Sequence, residues 1–99
     1  MIRGTTPTIC FKLPFDDGQI EELWLTISQR GQEVLTKEKP DMTYDGEKYN
    51  IKLTQEDTLK LDDDQYAEIQ LRIRTASGDA IASRVKRIAV EEILKDGVI

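Results

Sequence analysis

The segment YAEIQLRIRT (residues 66–75) most constrains what this chain can fold into, because its apolar and polar residues alternate along its whole length. The odd-numbered residues from Ala67 to Thr75 share one side, and the polar residues from Glu68 to Arg74 share the other. A period of two over this length predicts a β-strand with one buried face. The next segment, ASGD (76–79), contains a glycine suited to positive φ, and another alternating run follows it. The sequence therefore predicts a β-hairpin.

The returning strand of this hairpin, AIASRVKRIAV (80–90), changes phase along its length. Ile81 and Val85 are predicted to face inward at odd positions, whereas Ile88 and Val90 lie at even positions. One extra residue near 86–87, a β-bulge, would bring both pairs to the same face. The alternative is that the strand crosses from one sheet to another at this point.

Earlier segments repeat the pattern of short alternating runs bounded by turns. TICFKLPF (8–15) contains a proline that is typical of an edge strand, and IEELWLTISQ (20–29) directs its leucines and Ile27 inward. EVLTK (33–37) shows no clear face, and YNIKL (49–53) directs its odd-numbered residues inward. Turn signals at intervals of roughly 8–12 residues favour an all-β, antiparallel β-sandwich of about seven strands. A chain of 99 residues predicts one domain over residues 1–99.

One segment, TQEDTLKL (54–61), interrupts the strand pattern. Thr54 is suited to the N-cap of a helix, and Asp57 three residues later completes a capping-box pattern. We predict one short helical turn near 54–61, with Leu59 and Leu61 covering one end of the core. VEEIL (90–94) is a candidate for a second short helix.

Three adjacent aspartates, Asp62 to Asp64, raise the question of a metal site. An EF-hand loop counted from Asp62 would need an oxygen ligand where Tyr66 stands and glycine where Ala67 stands. A looser oxygen cage of Asp62, Asp64 and Glu56 is the alternative. Clustered loop carboxylates are usually solvated, and exposed carboxylates keep pKa values unsuited to acid–base catalysis. We therefore predict a solvated turn and no metal.

The usual signatures of an active site are missing from the sequence. Histidine is absent, which removes the commonest base near neutral pH, and Cys10 is the only cysteine. Cys10 alternates with apolar neighbours, as expected of an inert strand residue. The sequence contains no phosphate-binding glycine loop and no nucleophile elbow. We predict no catalytic residue, no cofactor and no enzymatic activity.

The charge and hydropathy of the chain restrict its partners. The net charge of −5 disfavours nucleic acid, although basic residues gather on the final hairpin (Arg72, Arg74, Arg84, Lys86 and Arg87). No apolar run approaches the roughly 20 residues of a membrane span, so we predict no membrane partner. The start, MIRGTTPT, lacks the apolar region of a signal peptide, which predicts synthesis in the cytoplasm without secretion by that route.

The best candidate for a binding residue is Trp24, the only tryptophan. Alternation places Trp24 on the outward face of its strand, beside Glu22 and Thr26. Tryptophan is enriched among residues that anchor protein interfaces. We therefore predict a protein interface at Trp24, Glu22 and Thr26. The alternative is that a chain terminus covers Trp24.

Several segments carry a resemblance to a group of known proteins. MIRGTTPT, FKLPF, LTQEDTL, IQLRI and GDAIAS resemble segments of small proteins encoded among the structural genes of prophages of Gram-positive gut bacteria. The resemblance covers nearly the whole chain and implies a virion-associated or assembly protein without an assigned active site. The second half also resembles an immunoglobulin-type crossover, which Leu53 and residues 56–58 would form before the next strand. The longer loop, the outward Tyr66 and the missing cysteine pair and core tryptophan depart from that pattern.

Three kinds of function remain open at this point. The resemblance favours a non-catalytic structural or interaction module of a phage tail or baseplate, whose partners are phage structural proteins or a second copy in a homo-oligomer. A carbohydrate or host-surface binding module would need exposed aromatic residues in one groove, and only Trp24, Tyr44 and Tyr66 could supply them. A small acidic protein could also regulate a host factor by binding it.

Overall fold

The structure, a computed structural model, describes the whole chain from Met1 to Ile99 as two antiparallel β-sheets facing each other. The smaller sheet has the order β1-β5-β4, and its strands are β1 (Thr8–Phe11), β4 (Thr43–Tyr44) and β5 (Tyr49–Lys52). The larger sheet has the order β3-β2-β6-β7, and β8 also pairs with β6. Its strands are β2 (Ile20–Gln29), β3 (Gln32–Glu38), β6 (Ala67–Thr75), β7 (Ala80–Ala82) and β8 (Lys86–Ile88). The predicted all-β, antiparallel sandwich is confirmed, with eight strands where about seven were expected.

The core lies between the two sheets and follows the alternation in the sequence. Leu23, Leu25 and Ile27 of β2 are fully buried, as is Leu53 just after β5, and Ile51 of β5 is buried. The other buried residues of the main cluster come from β3, β6 and the segments that flank α1 and β8. Period-two patterning therefore identified the buried face of the central strand.

Residues with positive φ close the turns of the two main hairpins. The β2–β3 turn consists of Arg30 and Gly31, and both have positive φ (53° and 73°). Two positive values define a type I′ turn, whose twist matches that of the paired strands. Gly78, with φ 93°, supplies the positive φ in the longer β6–β7 turn, as the sequence predicted.

The interruption at residues 54–61 is a short helix, α1 (Gln55–Leu59), as predicted. The Thr54 hydroxyl accepts a hydrogen bond from the Asp57 backbone N–H at 3.1 Å, and the Thr54 N–H donates to Asp57 Oδ2 at 2.9 Å. Leu61 is fully buried beyond the helix, whereas Leu59 is half-buried. The reciprocal caps explain why such a short helix forms here, because they satisfy backbone groups that the helix leaves unpaired.

The phase change in the returning strand comes from a bulge, and the strand does not cross to the other sheet. Ala82 lies opposite Arg72, and Lys86 lies opposite Ile69, so the returning chain contains one extra residue. The bulge falls within residues 83–85, earlier than the predicted 86–87. The reason is Ser83, whose hydroxyl accepts a hydrogen bond from the Leu71 N–H at 2.9 Å.

Two predictions for the end of the chain were wrong. Val85 was expected to face inward but is 49% exposed, because it lies within the bulge. Residues 90–94 form no second helix. Glu91 instead pairs with Ile2 in a parallel bridge, and its N–H donates to the Met1 carbonyl at 2.7 Å. The first residues of the chain thus form hydrogen bonds with backbone groups that a helix over residues 90–94 would have used.

Candidate interaction site around Trp24

Trp24 lies on the outer face of the larger sheet, near the middle of β2. Its side chain is 40% exposed, so the outward direction predicted from parity is confirmed. The neighbouring residues across the sheet are Glu38 on β3 and Arg72 on β6. Because β2 pairs with a strand along each of its two edges, the indole projects from a rigid sheet rather than from a loop.

Two arginines of β6 contact the indole or the acidic side chains beside it. The Arg72 guanidinium lies 5.5 Å from the centre of the Trp24 ring, a distance that allows a cation–π interaction. The Arg74 guanidinium lies 3.3 Å from a carboxylate oxygen of Glu21 and 3.8 Å from one of Glu22. The indole is therefore surrounded by charges of both signs, which resembles the polar rim of an interface anchor.

The surface around Trp24 forms a shallow depression of about 300 Å³. Glu22, Glu38, Arg72 and Arg74 line it together with Trp24. Three of these residues belong to strands other than β2 and were not among the predicted site residues. The registers of β2 with β3 and with β6 would have been needed to find them.

Thr26 is the predicted site residue that does not join this depression. Its hydroxyl lies 3.1 Å from that of Thr36, and the Thr36 hydroxyl donates to Glu33 Oε2 at 2.8 Å. Since the one proton of Thr36 is used in this way, Thr26 is the donor to Thr36. The Thr26 hydroxyl therefore stabilises the pairing of β2 with β3.

The three aromatic residues that a carbohydrate groove would require lie apart. Tyr66 precedes β6 at the far end of the same face, about 20 Å from Trp24 by strand geometry. Tyr44 belongs to the smaller sheet, where its ring lies 4.8 Å from that of Tyr49. No single groove brings the three rings together.

Three of the five basic residues on the final hairpin are already engaged. Arg72 and Arg87 lie over the rings of Trp24 and Tyr66, and Arg74 pairs with two glutamates. The stacked guanidinium groups cover ring faces on which bases would otherwise stack. Arg84 and Lys86 form no ion pair.

The Asp62–Asp64 segment is an exposed turn, but its carboxylates are not merely solvated. Arg30 donates hydrogen bonds to Asp62 Oδ2 at 2.7 Å and to both carboxylate oxygens of Asp64 at 3.0 and 3.1 Å. Glu56, the third ligand of the looser cage, lies on α1, and no group of three or more acidic or cysteine side chains is arranged to hold a metal. The sequence could not show the role of Arg30, because it lies more than thirty residues away.

We expect calcium to leave the melting temperature of this protein unchanged, because hydrogen bonds from Arg30 already engage the carboxylates of Asp62 and Asp64. The check is thermal unfolding with and without millimolar calcium. A ligand at one hundred times its dissociation constant would stabilise the fold by about 2.7 kcal/mol. Stabilisation of that size would contradict the assignment of these aspartates to a metal-free turn.

A second polar cluster, at the opposite end of the sandwich from α1, joins the two sheets. The Tyr49 hydroxyl donates to Asp17 Oδ1 at 2.6 Å, and Lys39 lies 3.3 Å from the same oxygen. Burial, followed by the hydrogen bond to Asp17, raises the pKa of Tyr49 above its ordinary value. The Tyr49 hydrogen bond lowers the pKa of Asp17. Both shifts move these groups away from neutral pH, so the cluster is suited to bracing the fold and not to proton transfer.

Comparison with protein-family models, curated proteins and solved structures finds no match for this chain. None of its helices has the length and hydropathy needed to cross a membrane. The assignment of a function therefore rests on the surface of the sandwich itself.

Proposed function

We propose that this protein is a non-catalytic interaction module that associates through the surface around Trp24. Its partner is a phage structural protein of the tail or baseplate, or a second copy of the same chain. The observation that carries this proposal is a half-exposed tryptophan on a rigid sheet, ringed by charged side chains of both signs. Removing apolar surface from water is favourable by about 25 cal/mol per Å² before the costs of association, and tryptophan offers more such surface than other residues.

The strand order supports an immunoglobulin-like topology as part of this proposal. The order β1-β5-β4 corresponds to strands B, E and D, and β3-β2-β6-β7 corresponds to C′, C, F and G of a variable-type domain. The α1 helix then occupies the crossover between strands E and F. Trp24 lies on the strand equivalent to C, where immunoglobulin domains bury a tryptophan, but here the side chain faces outward. The outward position is consistent with a role in binding rather than in the core.

We expect Trp24→Ala to remain folded and to lose self-association or incorporation into the particle. Circular dichroism checks the fold, and sedimentation velocity measures the mass with and without candidate tail or baseplate proteins. The matched control is Tyr66→Ala, because Tyr66 is also exposed on this face beneath an arginine but lies outside the depression. The control should associate like the unchanged protein.

Two results would contradict the proposal. Unfolding of Trp24→Ala would make Trp24 a structural residue. Equal association of Trp24→Ala and the unchanged protein would place the interface elsewhere. The phage context has its own test, since the proposal expects tail and baseplate genes on both sides of the coding sequence.

A further inference from the structure

The larger sheet has β3 at one edge and β7 with β8 at the other, and each edge directs a lysine toward the interior of the sandwich. Lys37 of β3 lies opposite the buried Leu25, and Lys86 of β8 lies opposite Ile69, so both lysines share the inward face. An inward charge on an edge strand disfavours uncontrolled pairing with another chain, because the charge would be buried without a partner. The two lysines therefore occupy equivalent positions at opposite sides of the sheet.

Only one of the two lysines, Lys37, forms an ion pair with a carboxylate. Lys37 Nζ lies 3.0 Å from Asp57 Oδ2, and this pair closes its side of the sandwich. Lys86 has no ion pair. Its neighbour Arg84 has none either, so this side of the molecule carries two uncompensated cations within a chain of net charge −5.

An apolar groove of about 430 Å³ opens on the Lys86 side, between β1 and the β7–β8 edge. Ile9 and Phe11 of β1 form one wall, and Leu71 and Ile88 lie among the residues that form the other. These four side chains point toward the core but are only half-buried. No acidic residue lines the groove, and Arg84 and Lys86 carry its only charged side chains.

One wall of the groove is an edge strand that can accept another strand. β1 pairs with β5 alone, so its second edge has no strand partner. The facing edge is interrupted by the bulge between β7 and β8, which makes β1 the better template. A strand added to β1 would place alternate side chains into the groove, as in β-augmentation.

We propose that this groove binds an extended segment of a partner protein, which adds as a strand beside β1 and supplies a carboxylate to Lys86. The segment has apolar side chains on its inward face, interrupted by one aspartate or glutamate. The acidic residue completes for Lys86 the ion pair that Asp57 makes for Lys37. A wholly apolar strand is disfavoured, because it would bury Lys86 without a partner. This surface is separate from the one around Trp24.

The test uses a short, capped peptide whose one face carries valines and a single glutamate and whose other face carries threonines. A second peptide replaces the glutamate by lysine. Titration followed by backbone amide NMR of the full chain should show shifts in β1 and at residues 83–86. We expect the glutamate peptide to bind at least about tenfold more tightly than the lysine peptide, as is usual for a close charge pair at an interface.

The Lys86→Glu variant should reverse this preference, so that the lysine peptide binds more tightly. Lys52→Glu is the matched control, since it makes the same change of charge on an exposed lysine outside the groove. The control should keep the original preference. Trp24→Ala should also keep it, which separates this test from that of the Trp24 surface.

The proposal is overturned by any of three results. The glutamate peptide fails to bind, the two peptides bind equally, or the shifts fall around Trp24 instead of β1. Retention of the glutamate preference in Lys86→Glu would likewise exclude the assigned ion pair.

Discussion

Replacing Leu25 by alanine is expected to lower the free energy of unfolding by about 2–5 kcal/mol, the usual cost of deleting a buried leucine side chain. Leu25 is 1% exposed and lies in β2, the central strand that pairs with both β3 and β6. Its cluster joins residues of both sheets, so the deletion leaves a cavity between them. A domain of this size is typically stable by only about 5–15 kcal/mol, and the loss is therefore a large share of the total. Chemical denaturation measures it.

Leu71→Ala is the matched control for this prediction. Leu71 lies directly opposite Leu25 in the sheet, is the same residue type and lines the same groove, but it is half-buried whereas Leu25 is fully buried. We expect a cost of roughly 1–2 kcal/mol, because less apolar surface is lost and water can fill the space. Equal costs for the two variants would mean that the groove is closed in solution. That result would count against strand binding beside β1.

The inward faces of the central strands could be predicted from sequence, because each depends on residues within one short segment. Leu23, Leu25 and Ile27 reveal their face by alternation alone. The turn at Arg30–Gly31 and the cap between Thr54 and Asp57 are likewise local, since the groups that interact lie a few residues apart. Local chemistry of this kind is visible without any knowledge of the fold.

The sequence could not predict in the same way which inward-facing side chains the opposite sheet would bury. Ile81 faces the interior opposite Ile73, as alternation predicts, yet it remains 42% exposed. The smaller sheet has three strands and the larger has five, so the β7 end extends past its cover. Alternation gives the direction of a side chain but says nothing of what lies above it.

The candidate site shows the same division between local and distant information. The outward direction of Trp24 follows from its own strand. Arg72 is nearly fifty residues away in sequence and reaches Trp24 only through the register of β2 with β6. Lys37 and Asp57 likewise form an ion pair although they lie far apart in sequence, so no local pattern could predict the contact.

Asp57 combines a local role with a distant one, and its removal should therefore be costly. Its Oδ2 atom accepts from the Thr54 N–H at 2.9 Å and lies 3.0 Å from Lys37 Nζ. Asp57→Ala leaves the backbone donor and the partly buried lysine without their acceptor. We expect a loss of about 3 kcal/mol near neutral pH, as for a partly buried ion pair that loses one member. Glu56→Ala is the matched control in the same helical turn, and its exposed side chain predicts a change within about 0.5 kcal/mol.

The contribution of Asp57 should also depend on pH in a defined direction. Burial acts to raise the pKa of Asp57, but the hydrogen bonds from Thr54 and the contact with Lys37 outweigh it and hold the pKa below its ordinary value of 3.8. A carboxyl whose pKa is lower in the folded state binds protons more readily when unfolded, so its stabilising contribution is complete above the unfolded pKa. That contribution is lost as the pH falls through the folded pKa. The difference in unfolding free energy between the unchanged protein and Asp57→Ala should therefore stay constant from neutral pH to about pH 5 and shrink in stronger acid. A difference that grew on acidification would show that Asp57 is not held as an anion by Thr54 and Lys37.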